Sequence, residues 1–421
     1  MCVFEKAKLP EVREAFIASR EHRRQYSEAL LVSMKEYILS DACVRDLDRL
    51  EHGDYFLDPP LYRLVPKNFQ GKKRAVYSFQ DTQSYLIKLV SFAMRGIERF
   101  YSDRLFSFRP DKTAEDLLFE VCNHRGLQDL FILKTDVSNY VGSIVPELLI
   151  PKLEKLFLPE DPAFYHFLVW LLTRNRVVDH EGHLIDHCPG GMGGIPLGNF
   201  FMNVYLDEMD AWFSPRAAFY SRYSDDILIA ARTLEEIREY EQKYYEFLHR
   251  LQLSTNREKT RVLQPGEPFD FLGMELCEGR ITISAHSMKK IRRKLRIFAD
   301  RALILRNTGK MTPDEAAQDL IIRFNRYSFG VDGEGNIFSW ARWAFPVITD
   351  TESLEQIDHY FQDSLRYVLY GSMKRRNRSI AYVQLSALGY KTLVYYYHHQ
   401  DRIPDIPRAY PKKNSAPSEA L

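Results

Sequence analysis

The run SRYSDDILIA, Ser221 to Ala230, sets Asp225 and Asp226 side by side at the head of an apolar, strand-forming stretch. A second such stretch, LFILKTDV, carries Asp136 near its end. Two strands that bring these carboxylates together build an acidic site whose charges repel unless cations lie between them. Mg2+ suits that role, because it takes hard oxygen ligands, keeps several waters and shares substrate phosphates. Two such ions orient a 3′-hydroxyl, lower its pKa and stabilise departing pyrophosphate during in-line displacement. An isolated Asp-Asp pair is more readily a solvated turn. The surrounding sequence decides between the two.

Seven blocks occur in order around the aspartates: RLVPKNFQGKKRAVYSF, FSFRPDKTAEDL, KTDVSNYVGSI, GGIPLGNFFMNVYLDEMD, RYSDDILI, LSTNREKT and FDFLG. Over roughly residues 61 to 283 they resemble the two fingers blocks and motifs A to E of the prokaryotic reverse transcriptases, the lineage of group II intron, retron and defence-associated enzymes. The resemblance implies an RNA-directed DNA polymerase that takes an RNA template and dNTPs and makes a DNA product. It implies two Mg2+ ions, with Mn2+ as a substitute, held by Asp136, Asp225, Asp226 and the Val137 carbonyl; Asp136 and Asp225 are the stronger direct ligands. Lys72, Lys73 and Arg74 are placed to meet the incoming triphosphate, Arg74 matching the family's arginine best; a solvated hairpin tip is their other reading. Lys259 in NREKT is placed as proton donor to the pyrophosphate, and otherwise is a surface lysine. Arg109 in SFRP orients the fingers or template, or else makes a buried structural ion pair. Gly194, Pro196 and Gly198 let the motif B backbone approach the nascent base pair, since glycine has no side chain to block it.

Two positions depart from the family pattern. The aromatic residue that commonly follows the motif A aspartate by five positions, and clashes with a ribose 2′-hydroxyl, is here Val141, preceded by Tyr140. Either discrimination against ribonucleotides is weakened or the gate has moved to Tyr140. Motif B has Leu197 where the family places a glutamine, which removes an amide able to contact the nucleotide or template. That change points away from intron enzymes, and no Val-Thr-Gly element of the retron kind is present. The chain is most similar to the defence-associated members, which implies a dedicated non-coding RNA and an accessory protein as further partners, and allows oligomer formation. An RNA-templated RNA polymerase and a non-catalytic RNA-binding or maturase-like protein are the rival readings.

The elements that must position these residues alternate strands with helices, so the expected class is α+β, a right-hand polymerase with a small antiparallel sheet. The expected order is a helical extension (1–60), fingers (61–130), palm (131–283, with a fingers insertion near 145–190), helical thumb (284–403) and a flexible tail (404–421). A single helix is expected over NFFMNVYLDEMDAWF, and FDFLGMEL is read as one strand paired with RITIS. In SMKKIRRKLRIFADRALIL, Met288, Ile291, Leu295, Phe298 and Leu303 recur at helical spacing, leaving Lys289, Lys290, Arg292, Arg293 and Arg296 to track phosphates; an ordinary solvated basic face is the alternative. A second basic cluster stands at Lys374, Arg375, Arg376 and Arg378. The hairpin DHEGHLIDHC crowds His180, His183, His187 and Cys188, but alternating strands make such side chains diverge, so zinc is not expected.

The composition, 45% hydrophobic and 27% charged, excludes a disordered or fibrous class. The net charge of +1 leaves any nucleic-acid surface to local clustering. Five scattered cysteines without a CxxC spacing suggest neither a disulfide framework nor a thiolate metal site. With no long apolar run and a charged N-terminus, a cytoplasmic protein free of membrane is expected.

Overall fold

The computed structural model describes residues 2–21, 28–66, 73–124, 126–188, 190–256, 260–277, 279–330, 339–371 and 382–403. These fall into two compact units that divide between Glu267 and Pro268.

In the first unit the helices α1 (Val3–Lys8), α2 (Pro10–Glu21), α3 (Glu28–Ile38) and α4 (Asp41–Glu51) precede the hairpin β1 (Leu61–Pro66) and β2 (Lys73–Ser78). Helices α5 (Asp81–Ala93) and α6 (Ala114–Asn123), strand β3 (Phe131–Asp136), and helices α7 (Pro146–Phe157) and α8 (Pro162–Leu172) follow. Next come strands β4 (Arg176–Val178) and β5 (Leu184–Asp186), and helices α9 (Pro196–Tyr205) and α10 (Asp207–Phe213). Strands β6 (Phe219–Tyr223) and β7 (Asp226–Ala231), helix α11 (Leu234–Arg250) and strand β8 (Arg261–Leu263) complete the unit.

Helix starts are chemically marked. Thr113 and Asp116 form a reciprocal capping box on α6, and Pro146, Pro162 and Pro196 open α7, α8 and α9, where a missing N–H costs nothing. Phe4 of α1 packs edge-on against Phe164 and Phe167 of α8, which ties the N-terminal helices into the core.

Two sheets organise this unit. One has the order β2-β1-β4-β5, joining two hairpins distant in sequence through the parallel pair Leu61 and Val178. The other, β6-β7-β3-β8, is antiparallel throughout. Its central strands β3 and β7 are buried on both faces, which is why they read as nearly unbroken apolar runs.

The second unit carries a three-stranded sheet, β9 (Phe269–Phe271), β10 (Met274–Cys277) and β11 (Arg280–Ile283), in the order β11-β10-β9. Helices α12 (Ala285–Asn307), α13 (Pro313–Phe329), α14 (Trp340–Ala344), α15 (Glu352–Tyr370), α16 (Tyr382–Ala387) and α17 (Leu393–His398) follow.

The α+β class holds, and two local readings need correction. FDFLGMEL is not one strand: Leu272 and Gly273, both at positive φ, turn it back on itself between β9 and β10. The helix over NFFMNVYLDEMDAWF breaks at Leu206. Lys152 of α7 there pairs with both Asp207 and Glu208 at the start of α10. The strands β9 to β11 group with the C-terminal helices rather than with the sheet that carries Asp136.

Candidate active site

Asp136 closes β3 and Asp226 opens β7, and the two are directly opposed in the antiparallel register. Opposed residues of such a pair project from the same face, with Cβ atoms about 5 Å apart. Asp225 occupies the two-residue turn between β6 and β7, and its carbonyl accepts the Val137 N–H at 3.1 Å. Three carboxylates therefore converge on one end of one sheet. Asp136 is 7% exposed, while Asp225 and Asp226 are half-buried. From the far side, the segment at Ser254 to Asn256 grips the Asp136 backbone: Asn256 N–H and Thr255 Oγ1 donate to its carbonyl at 2.9 and 3.2 Å. The hydroxyls of Thr135, Thr255, Thr260 and Tyr244 form a buried cluster beneath, with Thr135 at its centre.

A second buried network lies under the turn. Arg222 is fully buried in β6 and meets both carboxylate oxygens of Asp210, while Tyr220 Oη donates to the same carboxylate at 2.6 Å. Burial by itself depresses the guanidinium, but Asp210 beside it holds its pKa well above the ordinary arginine range. The remaining Arg222 donors reach the carbonyls of Asn203 at 3.2 Å and Ser224 at 3.4 Å. Sequence reasoning missed these residues. The available signal was an arginine within an otherwise apolar strand, because a buried charge requires a partner.

The motif B loop leans on the fingers hairpin. Tyr77 N–H donates to the Gly193 carbonyl at 2.7 Å, and a Cβ placed on Gly194, whose φ is +108°, would lie 2.7 Å from Val76 Cγ1 and 2.8 Å from the Tyr77 carbonyl oxygen. A Cβ on Gly198 would meet the Gly191 and Met192 carbonyl oxygens at 2.7 Å each. In this structure both glycines thus serve the packing of protein on protein. Pro196 is half-exposed and starts α9. Leu197, which stands where the family places a glutamine, is fully buried.

The remaining sequence candidates separate. Tyr140 is only 3% exposed, its hydroxyl donates to the Met202 carbonyl and burial drives its pKa upward. It belongs to the core and cannot serve as a displaced sugar gate without leaving it. Val141 lies half-buried against the loop, where a Cβ on Gly193 would come within 2.9 Å of its Cγ1. Arg109 follows the second of its two readings: its side chain is 5% exposed, forks onto Asp111 and donates to the Ser102 carbonyl at 3.0 Å, a structural ion pair. Lys73 and Arg74 are exposed on β2, and strand alternation puts Arg74 on the same face as Val76, toward the Gly194 loop. Lys72 and Lys259 lie outside the described residues, as do the cluster at Lys374 to Arg378 and the tail 404–421.

Residues 65–276 match the family model for reverse transcriptase (RNA-dependent DNA polymerase). The chain belongs to the reverse transcriptase family. The putative enzymatic polyprotein of Cassava vein mosaic virus is 30% identical over 92 residues, 22% of this chain and 14% of that polyprotein. The chain is also similar to solved telomerases. With the Candida tropicalis apo enzyme truncated from its C-terminal domain it shares 12% identity over 53% of this chain and 55% of that one, at a TM-score of 0.40. With the Candida albicans enzyme in complex with a TWJ fragment of telomeric RNA the values are 14%, 80%, 67% and 0.39.

The chain spans 14% of the length of that polyprotein and about half the length of the truncated telomerase. Its three aspartates offer only hard carboxylate oxygens, the donor set that suits Mg2+ or Mn2+. Among the described residues, the acidic and imidazole groups gathered within 4.8 Å are Asp179, Glu181 and His183 on the surface of the β4–β5 hairpin. His187 instead packs with Tyr62 and Tyr77, its Nε2 2.7 Å from the Tyr77 hydroxyl, away from any zinc arrangement with His180, His183 and Cys188.

In the second unit, α12 buries Met288, Ile291, Leu295, Ala299 and Ala302 and exposes Lys289, Lys290, Arg292, Arg293 and Arg296. Phe298 and Leu303 are half-buried beside this seam. Arg296 pairs with Asp300, and Arg292 donates to Gln356 at 3.1 Å. Lys289 and Arg292, with Arg280, Thr282 and Gln356, line a cleft of about 820 Å3. No helix among the described residues is long and apolar enough to cross a membrane.

Proposed function

We propose that this polymerase extends a 3′-hydroxyl with dNTPs along an RNA template, using two divalent cations held by Asp136, Asp225, Asp226 and the Val137 carbonyl. The observation that carries the reading is the register that sets Asp136 opposite Asp226, with Asp225 in the adjoining turn. The cations supply charge for the developing alkoxide and the departing pyrophosphate. Around them the chain supplies position: β3 and β7 fix the carboxylates, and Arg74 on β2 meets the triphosphate beside the motif B loop. Lys73 adds charge on the same hairpin, Lys72 and Lys259 are further phosphate-directed cations, and the exposed row on α12 follows the template-product backbone. The loss of the motif B glutamine at Leu197 supports a place among the prokaryotic defence-associated enzymes, with a dedicated non-coding RNA as template, an accessory protein, self-assembly and a cytoplasmic setting. Val141 supports relaxed selection between deoxyribose and ribose, because an aliphatic side chain stands where an aromatic one would crowd the 2′-hydroxyl.

Primer extension on an RNA template tests the central reading. Asp225→Asn is expected to lower the rate by roughly 1,000-fold, the scale on which loss of a transition-state charge partner acts. Nucleic acids that co-purify with wild type and with Asp225→Ala are then sequenced. Extension that survives the first substitution, with identical profiles in the second experiment, would overturn the assignment.

A further inference from the structure

The turn that carries the acidic pair is held in a conformation that its own sequence disfavours. Ser224 has φ +59°, in the left-handed region that non-glycine residues enter at a cost of about 1 kcal/mol or more. Such a residue persists where its surroundings over-determine it. Here the determinant comes from a distant segment: Ser107 Oγ accepts the Ser224 N–H at 2.8 Å. Ser107 is fully buried, and its hydroxyl proton is directed at Asn203 Oδ1, 3.4 Å away, which leaves its lone pairs for the amide. Asn203 Nδ2 in turn donates to the Ser107 carbonyl at 3.1 Å. The segment is docked on β6 by reciprocal backbone bonds, Phe106 N–H to the Arg222 carbonyl and Arg222 N–H to the Arg104 carbonyl, both 2.9 Å. On its other side the turn is tied to β3 by Val137 N–H and the Asp225 carbonyl.

We propose that Ser107 is a positioning residue for catalysis, its hydroxyl fixing the Ser224 peptide and thereby the angle at which Asp225 and Asp226 converge on Asp136. This rests on the reading of the three aspartates as the cation site. Because Asp225 and Asp226 follow directly on the peptide that Ser107 holds, a turn released from Ser107 binds the cation less well and misplaces it, while the approach of the nucleotide is unaltered.

The test uses the full chain. Mn2+ binding is followed by electron paramagnetic resonance without nucleotide, and primer extension and thermal melting are measured for wild type, Ser107→Ala, Ser107→Thr and Asp225→Asn. Ser107→Ala is expected to weaken Mn2+ binding several-fold and to lower kcat about 10- to 100-fold, with KM for dNTP within about threefold, as for a small misplacement of reacting groups. Ser107→Thr keeps the oxygen and recovers both quantities. Should the alanine variant not fold, Ser107→Cys replaces a strong acceptor with a weak one at similar volume, and the same losses are expected. A folded alanine or cysteine variant with wild-type Mn2+ affinity and kcat overturns the proposal, as does a loss that threonine fails to recover. Mn2+ binding unaffected by Asp225→Asn means that the cation site itself is misread. Binding lost in Asp225→Asn but intact in Ser107→Ala sinks only the role of Ser107.

Discussion

Val141 stands where the family pattern has an aromatic residue. Its methyl groups lie against Gly191 and Gly193 of the motif B loop. Val141→Phe is expected to raise the ratio of kcat/KM for a dNTP over the matching rNTP by about tenfold or more, the scale of a steric discrimination of a few carbon atoms. Single-nucleotide incorporation kinetics measure it, and an unchanged ratio would place sugar selection elsewhere. The aspartates were legible because carboxylates in apolar strands are conspicuous. Their support was less so, since Arg222 and Asp210 each look ordinary until the fold sets them side by side. Arg109 had two readings in the sequence, and Asp111 two residues on meets the structural one. That Asp210 and Arg222 are both buried also means that neither tolerates loss of the other, because a lone buried charge costs several kcal/mol.

Helix α12 shows what periodicity reveals at the level of an element. Its buried seam follows the apolar spacing, with Ala299 and Ala302 inside where Phe298 and Leu303 were expected; small residues sit where neighbouring helices approach closely. Its basic face is exposed as a row. Replacing Lys289, Lys290 and Arg293 together by alanine is expected to weaken binding of an RNA–DNA duplex and to flatten its salt dependence, by about 0.9 in log-log slope for each phosphate left without a cation. Fluorescence anisotropy over a series of salt concentrations reads this directly, and an unaltered slope would make the face merely solvated. Breaks within elements were the hardest to foresee. The break at Leu206 lies beside an ion pair to Lys152, far away in sequence, and the β9–β10 turn places a leucine at positive φ, where sequence preference points to glycine or asparagine.

At the scale of the whole molecule, the division into two units after Glu267 is not marked in the sequence, because FDFLG carries no linker-like composition; the β9 to β11 sheet falls with the C-terminal helices. The second unit contains a titrating group in its core. Asp358 of α15 accepts hydrogen bonds from Tyr390 Oη, Leu393 N–H and Val394 N–H, yet burial raises its carboxyl pKa from 3.8 to about 6. A carboxyl raised on folding binds its proton more tightly in the native state, so its contribution is fully present below about pH 4 and lost as pH rises through about 6. A shift of this size corresponds to about 3 kcal/mol. Denaturant melts at several pH values are expected to show the stability of wild type relative to Asp358→Asn declining by up to that amount between pH 4 and 7; a pH-independent difference would refute the linkage.

The strand order β6-β7-β3-β8 has a further consequence. Strand β3 is synthesised early but pairs only with strands made much later, so Asp136 emerges on a nascent chain long before Asp226 exists to face it. The polymerase centre is thus among the last parts of the first unit to form, and a chain interrupted before β7 has no assembled site with which to act on bound RNA.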